Sequence, residues 1–331
     1  MAYTITLYKD GQSADITDLV SNLSWSENMD TVGLSLNFTV PDISDRYITR
    51  LLITAGDIVT VNNDEGELIR AVVINVSRSY PKRTVKASDY GFYLNKNDVV
   101  IQFTGQGVSE CLKSLFSKVG VTVGTICDMP AEVEKVYIDN VKNIIDDLIE
   151  IQSGNDGKEY YYELRGKAIY VFQLTDEVLD YTFKPAENVA AFDVTDKNAH
   201  SRGKYTHSIE NLKNRVTAVV GSKTSGEMPS KQYTVFDDES ISKYGLLAEN
   251  YTVNSDDEDN IESVAENELK EKNTLKRTLT MDLIGYDSAR PGRVMHIEDE
   301  YLGINGNYRI ESANHKINGG IHTMTCTLKG L

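Results

Sequence analysis

The residue types that staple or metallate small folds are scarce in this chain: 331 residues carry three cysteines, Cys111, Cys127 and Cys326. Three scattered thiols make neither a disulfide framework nor a paired-cysteine zinc site, so they read as reduced core thiols of a chain assembled in a cytoplasm. Basic residues are in short supply as well, 34 Lys+Arg against 50 Asp+Glu, for a formal net charge of −16. That sign, with no Lys/Arg-rich stripe to offset it, argues against stable nucleic-acid binding by counterion release. It also opposes an anionic membrane surface. No apolar run approaches the roughly 18–20 residues of a membrane span. The start, Met1 to Asp10, alternates like a strand and lacks the basic-then-apolar layout of a signal peptide. With tyrosine removed and glycine added, the apolar share is roughly 41%, a little under the globular average of about 45–50%. A chain this long with a slightly thin core fits two or three small domains better than one large globule.

What is present is mostly strand. In 1–103, Leu34, Leu36, Phe38 and Val40 alternate with Ser35, Asn37 and Thr39 up to Pro41-Asp42. Gly56-Asp57 opens a strand through Ile58, Val59 and Val61, and Asn62 to Gly66 forms a turn cluster. A long strand then runs from Leu68 to Ser77, and Pro81-Lys82-Arg83 breaks it before Thr84 to Asp89. Many short strands with polar turns indicate a small barrel or sandwich. Between 104 and 185 the period changes. Val108, Cys111, Leu112, Leu115, Phe116 and Val119 recur at helical spacing and stop at Gly120. Val141, Ile144, Ile145, Leu148 and Ile149 make a second helix, with Asp139-Asn140 as cap candidates and Gly154 beyond it. Glu159 to Gln173 reads as a hairpin, completing an α+β middle domain. The region 186–331 returns to β, with a helical insertion around 237–273. Within it, Ser255-Asp256-Asp257-Glu258 has the form of a capping box. The fold class expected is therefore mainly β with an α+β middle and two small barrels.

The two barrels share spacing. Gly56-Asp57-Ile58-Val59-Thr60-Val61 parallels Gly292-Arg293-Val294-Met295-His296-Ile297. Val72 and Ile74 follow the first glycine at the same offsets as Tyr308 and Ile310 follow the second. Each is followed by a turn and a threonine-containing strand, Thr84 to Asp89 and Thr323 to Leu328.

Chemistry is harder to find. There is no GxSxG, HExxH, Walker or dinucleotide motif. Of five histidines, His315 and His322 are the most pointed pair. A two-residue turn at Asn318-Gly319 sets 315 opposite 322 on one sheet face. The next acid on that face, Glu311, is two pairs away, and a zinc site needs three or four ligands. A histidine pair packed beside a turn is the reading that follows. The acid run at Asp256 to Asp259 lacks the glycine and terminal glutamate of a calcium loop. Asn155-Asp156-Gly157 and Asn305-Gly306-Asn307 are turn chemistry. Cys111 and Cys127 have no histidine within about 70 residues, which disfavours a Cys–His nucleophile. The 19 tyrosines, Tyr160-Tyr161-Tyr162 among them, suit a glycan platform or an interface, or are simply strand residues. No catalytic, cofactor or metal residue is assigned, and no interface residue is singled out.

Several phrases, in order, carry a resemblance. They are Asp15 to Val20 before Ser24-Trp25-Ser26, the Gly56 to Val61 strand, and Lys86 to Tyr90 with Tyr93-Leu94. Asn211 to Val216, Ser242 to Leu247 and the closing His315 to Met324 follow. In these the chain resembles the late control protein D and XkdQ/YqbQ-like family of contractile-tail baseplate hub proteins. The resemblance implies a non-enzymatic homotrimer whose two barrels per chain form a pseudo-sixfold ring. That ring joins a sixfold tail tube to a threefold central spike, in a phage or a phage tail-like bacteriocin. Tail tube, spike, tape measure and baseplate wedge proteins would be its partners, with no cofactor. It would sit in the virion or particle baseplate after assembly in the host cytoplasm, with DNA at most passing through an acidic lumen. The alternatives are a tail-associated cell-wall hydrolase or peptidase using His315 or His322, and a glycan-binding module using the tyrosines.

Overall fold

The computed structural model describes residues 3–43, 52–175, 178–185, 198–199, 203–220, 231–253 and 261–331. The chain forms two compact units, Met1–Gly203 with Thr280–Leu331, and Lys204–Leu279.

The first unit opens with β1 (Thr4–Lys9), β2 (Gln12–Asp15), β3 (Ser21–Asn28), β4 (Thr31–Pro41), β5 (Ile58–Asn63), β6 (Gly66–Ser79) and β7 (Lys82–Ser88), followed by the single turn α1 (Gly91–Leu94). Neighbours pair antiparallel in the order β3–β4–β7–β6–β5–β1–β2. Leu34, Leu36, Phe38 and Val40 are buried, as their alternation requires. They share one core with Ile5 and Leu7 of β1 and with Leu23 and Trp25 of β3. Strands far apart in the pairing order thus meet over a common interior, so the sheet curls on itself. Burying each such side chain contributes about 1.5–3 kcal/mol against conformational entropy.

The α+β middle comprises β8 (Asp98–Gly107), α2 (Val108–Lys118), β9 (Thr122–Ile126), β10 (Glu132–Asn140), α3 (Val141–Asp156), β11 (Tyr160–Arg165) and β12 (Ala168–Gln173). β8 and β10 make an antiparallel ribbon, while β11 and β9 flank β12. The helical stripes Val108, Cys111, Leu112, Leu115, Phe116 and Val141, Ile144, Ile145, Leu148 are buried in one core. Asn140 caps α3 by accepting a hydrogen bond from the Lys142 N–H at 3.0 Å. The helix runs past the expected stop at Gly154 and ends at Gly157, whose φ of +71° supplies the left-handed cap.

After β13 (Val178–Pro185) and β14 (Asn198–Ala199) the chain enters the second unit, with β15 (Lys204–Ser208), β16 (Arg215–Val220), β17 (Lys231–Phe236), α4 (Asp238–Tyr244), β18 (Ala248–Val253) and α5 (Ile261–Lys272). There β16 pairs antiparallel with β17 and parallel with β18, and Ala218, Val220 and Val253 pack on Ile261 and Ala265 of α5. The buried Asn214 side chain donates to Gly245 O at 2.7 Å and accepts from Leu247 N at 2.8 Å. It thereby stitches together two of the phrases that carry the family resemblance. The capping segment Ser255 to Glu258 and the run Asp256 to Asp259 lie outside the described residues, as does His200.

β19 (Lys276–Ile284) starts in the second unit and continues into the first, which closes with β20 (Val294–Asp299), β21 (Ile304–Asn318) and β22 (Ile321–Gly330). Pairing runs β13–β20–β21–β22–β19–β14 and returns to β13, a closed ring. β21 also pairs with β3, joining this barrel to the first.

The expected repeat is present in the hydrogen bonding. The order β4–β7–β6–β5 recurs as β19–β22–β21–β20. Gly56 N–H donates to Val73 O and Val73 N–H to Asp57 O, both at 2.8 Å. Gly292 N–H donates to Ile310 O at 2.9 Å and Ile310 N–H to Arg293 O at 2.8 Å. Both glycines have positive φ, +95° and +84°. Each exchange is followed at once by a β-bulge, between Val73 and Asn75 and between Ile310 and Ser312. The second copy carries one more residue between glycine and bulge, so the true equivalents are Val73 and Ile310. Equal offsets from the two glycines miss this pairing by one position.

Candidate functional site

Two polar clusters meet on the segment Gly285–Arg293, which links β19 to β20. The first contains the histidine pair. The β21–β22 turn uses Gly319-Gly320, φ +57° and +80°, instead of the expected Asn318-Gly319. Two adjacent positive-φ positions favour a pair of residues without Cβ. As a result His322 faces Ile317, and His315 faces Met324. The turn moves by one position on both strands, so each histidine keeps its face and the two rings meet diagonally. His315 Nδ1 lies 3.0 Å from His322 Nε2, and His315 Nε2 lies 3.2 Å from Ala289 O. The Trp25 ring stacks on His315 at 4.8 Å with 7° between planes.

The acid beside this pair is Asp287 rather than Glu311. Tyr3 Oη donates to Asp287 Oδ1 at 2.8 Å and also lies 2.8 Å from His322 Nδ1. Asn63 Nδ2 donates to Asp287 Oδ2 at 2.8 Å. Gly285 makes the approach possible, because a Cβ there would stand 2.0 Å from His322 Cγ. A carbonyl only accepts, so Ala289 O fixes the proton of neutral His315 on Nε2. His315 Nδ1 then accepts from His322 Nε2, and His322 Nδ1 accepts from Tyr3. One phenolic proton therefore serves two acceptors. Burial, with the charges of His322 and Arg290, pushes His315 down to about 3. Burial also lowers His322 against the opposing pull of Asp287. Burial first, and then Asp287, push the Tyr3 phenol up.

The second cluster is an ion-pair seam. Arg290 donates through Nε and Nη2 to Glu27 at 2.9 and 2.7 Å, and through Nη2 to Leu164 O at 3.1 Å. Arg293 grips Glu163 at 2.6 Å with each terminal nitrogen, and Arg165 donates to Glu163 at 2.5 Å. Burial alone would raise the Glu163 carboxyl, but the Arg293 hydrogen bonds and the surrounding guanidinium charges hold it below its ordinary value. The segment 285–293 thus holds the first barrel through Tyr3, Glu27 and Asn63, and the middle domain through Glu163 and Leu164.

The other residues singled out from sequence fall elsewhere. Tyr160 and Tyr162 donate to Asp156 and Asp146 at 2.6 and 3.0 Å, and Tyr161 packs against Gly292. Cys111 and Cys326 are buried and Cys127 is partly buried, all as free thiols. Burial pushes Cys111 up to about 11 and Cys326 up to about 12. Among the described residues no group of three His, Cys, Asp or Glu side chains could hold a metal ion. No helix among them is long and apolar enough to cross a membrane.

The family model described as YQBQ-like matches residues 23–329. The chain belongs to the YQBQ-like family. Among its relatives is the protein YqbQ of Bacillus subtilis (strain 168), 23% identical over 286 residues, covering 82% of this chain and 81% of the relative. The phage-like element PBSX protein XkdQ of the same strain is 22% identical over 282 residues, with the same coverage. The YQBQ-like fold is also that of a tail protein from Neisseria meningitidis MC58, with a TM-score of 0.72 at 13% identity, covering 99% of this chain and 97% of that one. The 43 kDa tail protein of prophage MuSo2 from Shewanella oneidensis gives 0.70 at 12% identity, with 98% of both chains covered. In this YQBQ-like chain the residues missed from sequence are Tyr3, Glu27, Asn63, Asp287, Arg290 and Arg293. The one sequence signal near them was the glycine-anchored repeat, whose second copy begins at Gly292.

Proposed function

We propose that the chain is a structural baseplate hub of a contractile tail, acting as a homotrimer that joins a sixfold tube to a threefold spike. The observation that carries this is the internal duplication. Two barrels with one strand order and one glycine-anchored hydrogen-bond exchange give a trimer six near-equivalent positions. The relative XkdQ is named for a phage-like element and two proteins of the same fold are named tail proteins, which supports a tail component. A non-enzymatic role fits the buried histidines, since His315 is 2% exposed and bonded on both ring nitrogens. The working divisions are 1–103, 104–185 and 186–331, with tube, spike, tape measure and wedge proteins as partners. The excess of acid is assigned to the lumen, where it would keep passing DNA from becoming bound.

Light scattering on the chain with its spike partner tests this reading. A mass of three chains, and a threefold or pseudo-sixfold ring in particle images, is the expected result. One chain per particle under all conditions overturns it, as does release of peptidoglycan fragments abolished by altering His315 or His322.

A further inference from the structure

The β8–β10 ribbon has two faces. Phe103, Val133 and Tyr137 point inward and are buried in the middle-domain core. The outer face carries four cross-strand levels: Asp98 with Asn140, Val100 with Ile138, Gln102 with Val136, and Thr104 with Glu134. Its central side chains are apolar yet open, Val100 at 61%, Val136 at 56% and Ile138 at 78% exposure. Single exposed aliphatics are ordinary, but three contiguous ones on one sheet face mark a contact surface. Both ends of the stripe are acidic, Asp98 at one and Glu134 at the other. No lysine or arginine occupies an outer-face level, and Lys135 points the other way, 2.9 Å from Asp147. A shallow groove of about 310 Å³ lies at the Asp98 end, lined by Val99, Val100, Ile138 and Asn140.

We propose that this face docks an extended segment of another protein that has alternate apolar side chains and a lysine or arginine at each end. Charge complementarity selects that occupant. A second copy of this chain stacked on the same face sets acid against acid in either strand direction, which costs affinity. The spacing selects an extended segment. Four levels two residues apart span about 20 Å at the strand rise, matching the first, third, fifth and seventh side chains of one strand. The inference concerns this surface alone and does not depend on the trimer.

The test uses the full chain with methyl signals of Val100, Val136 and Ile138 observed by NMR. The probe is the synthetic peptide Lys-Thr-Ile-Thr-Val-Thr-Lys, compared with a version ending in glutamates. The lysine-ended peptide is expected to shift these methyl signals, and less so as salt is raised. The glutamate-ended peptide is expected to leave them in place. Ile138→Glu, on an exposed side chain, should abolish the shift at Val136 with the Trp25 fluorescence unchanged. The double change Asp98→Lys and Glu134→Lys should reverse the preference between the two peptides. Equal shifts from both peptides, or none at the solubility limit, overturn the proposal. Concentration-dependent dimerisation abolished by Ile138→Lys also overturns it and makes the occupant a second copy.

Discussion

Acid titration of the Trp25 environment puts the buried histidine network to a quantitative test. In the folded chain His315 is pushed down to about 3, whereas in the unfolded chain it titrates near its ordinary value of about 6.5. Below about pH 6.5 the unfolded state therefore binds a proton that the folded state refuses. Stability falls by about 1.4 kcal/mol per pH unit, roughly 3 kcal/mol by pH 4. Asp89 works in the opposite direction. Burial pushes its carboxyl up to about 7, so between pH 7 and its ordinary value near 4 the folded state holds the extra proton and gains stability. The Asp89 slope opposes that of His315, while His322, also lowered by burial, adds to the His315 slope. His315→Gln keeps a donor for Ala289 O and removes the titration. It is expected to cost about 1–2 kcal/mol at pH 7.5 through imperfect hydrogen bonds. Its stability should then rise relative to the native chain as the pH falls from 6.5 to 4. Trp25 is the single tryptophan and stacks on the His315 ring, so urea unfolding followed by its fluorescence reads this unit alone. Other carboxylates shift both proteins alike, and the difference in slope isolates His315. Identical pH slopes for the two proteins would refute the reasoning.

Two further substitutions probe the contacts that hold the first unit together. Glu163→Gln leaves Arg293 without its carboxylate in a nearly closed site, and a loss of about 3–5 kcal/mol in denaturant unfolding is expected. Replacing Glu163 and Arg293 together by methionine should recover most of it, and equal losses for single and double changes would count against an ion-pair origin. Gly91→Ala places a Cβ 2.6 Å from Gly33 Cα and 2.8 Å from its nitrogen. Both contacts are backbone, so the start of β4 must move and about 1–3 kcal/mol of stability should be lost. An unchanged Tm would show that this approach is looser than the geometry requires.

Periodicity and turn chemistry make most of the fold legible in the sequence. The β4 alternation, the Val108 and Val141 stripes and the Tyr160 to Gln173 hairpin each declare their state through local spacing. Two of the misplaced details share a cause, which is the choice between neighbouring glycines or asparagines as the break. Asn318-Gly319 lost to Gly319-Gly320 because two consecutive left-handed positions are easiest without any Cβ. Gly154 was passed over because a single glycine inside a helix costs only about 1 kcal/mol. The buried Gln152 holds the last turn, accepting from Ala131 N–H and donating to Asp156, both at 3.0 Å.

The polar seam was illegible for a different reason. Its members come from Tyr3 just before β1, from β3, β5, β11, β21 and β22, and from the 285–293 segment, with sequence separations of up to 319 positions. No short-range pattern distinguishes Arg290 or Asp287 from a solvated surface charge. What selects them is a topological fact, the pairing of β21 with β3, which brings the N-terminal barrel against the C-terminal one. Once that pairing exists, the β19–β20 connection has protein on both sides, and its charges must find partners or stay in water. Duplicated barrels supply the apolar surfaces, which are nearly interchangeable. The unduplicated ion pairs and the Tyr3–His322–His315 chain break that equivalence by tying one particular segment to one particular barrel and to the middle domain. In a molecule built from two similar barrels, register and orientation are thus set by polar groups that the repeat does not share.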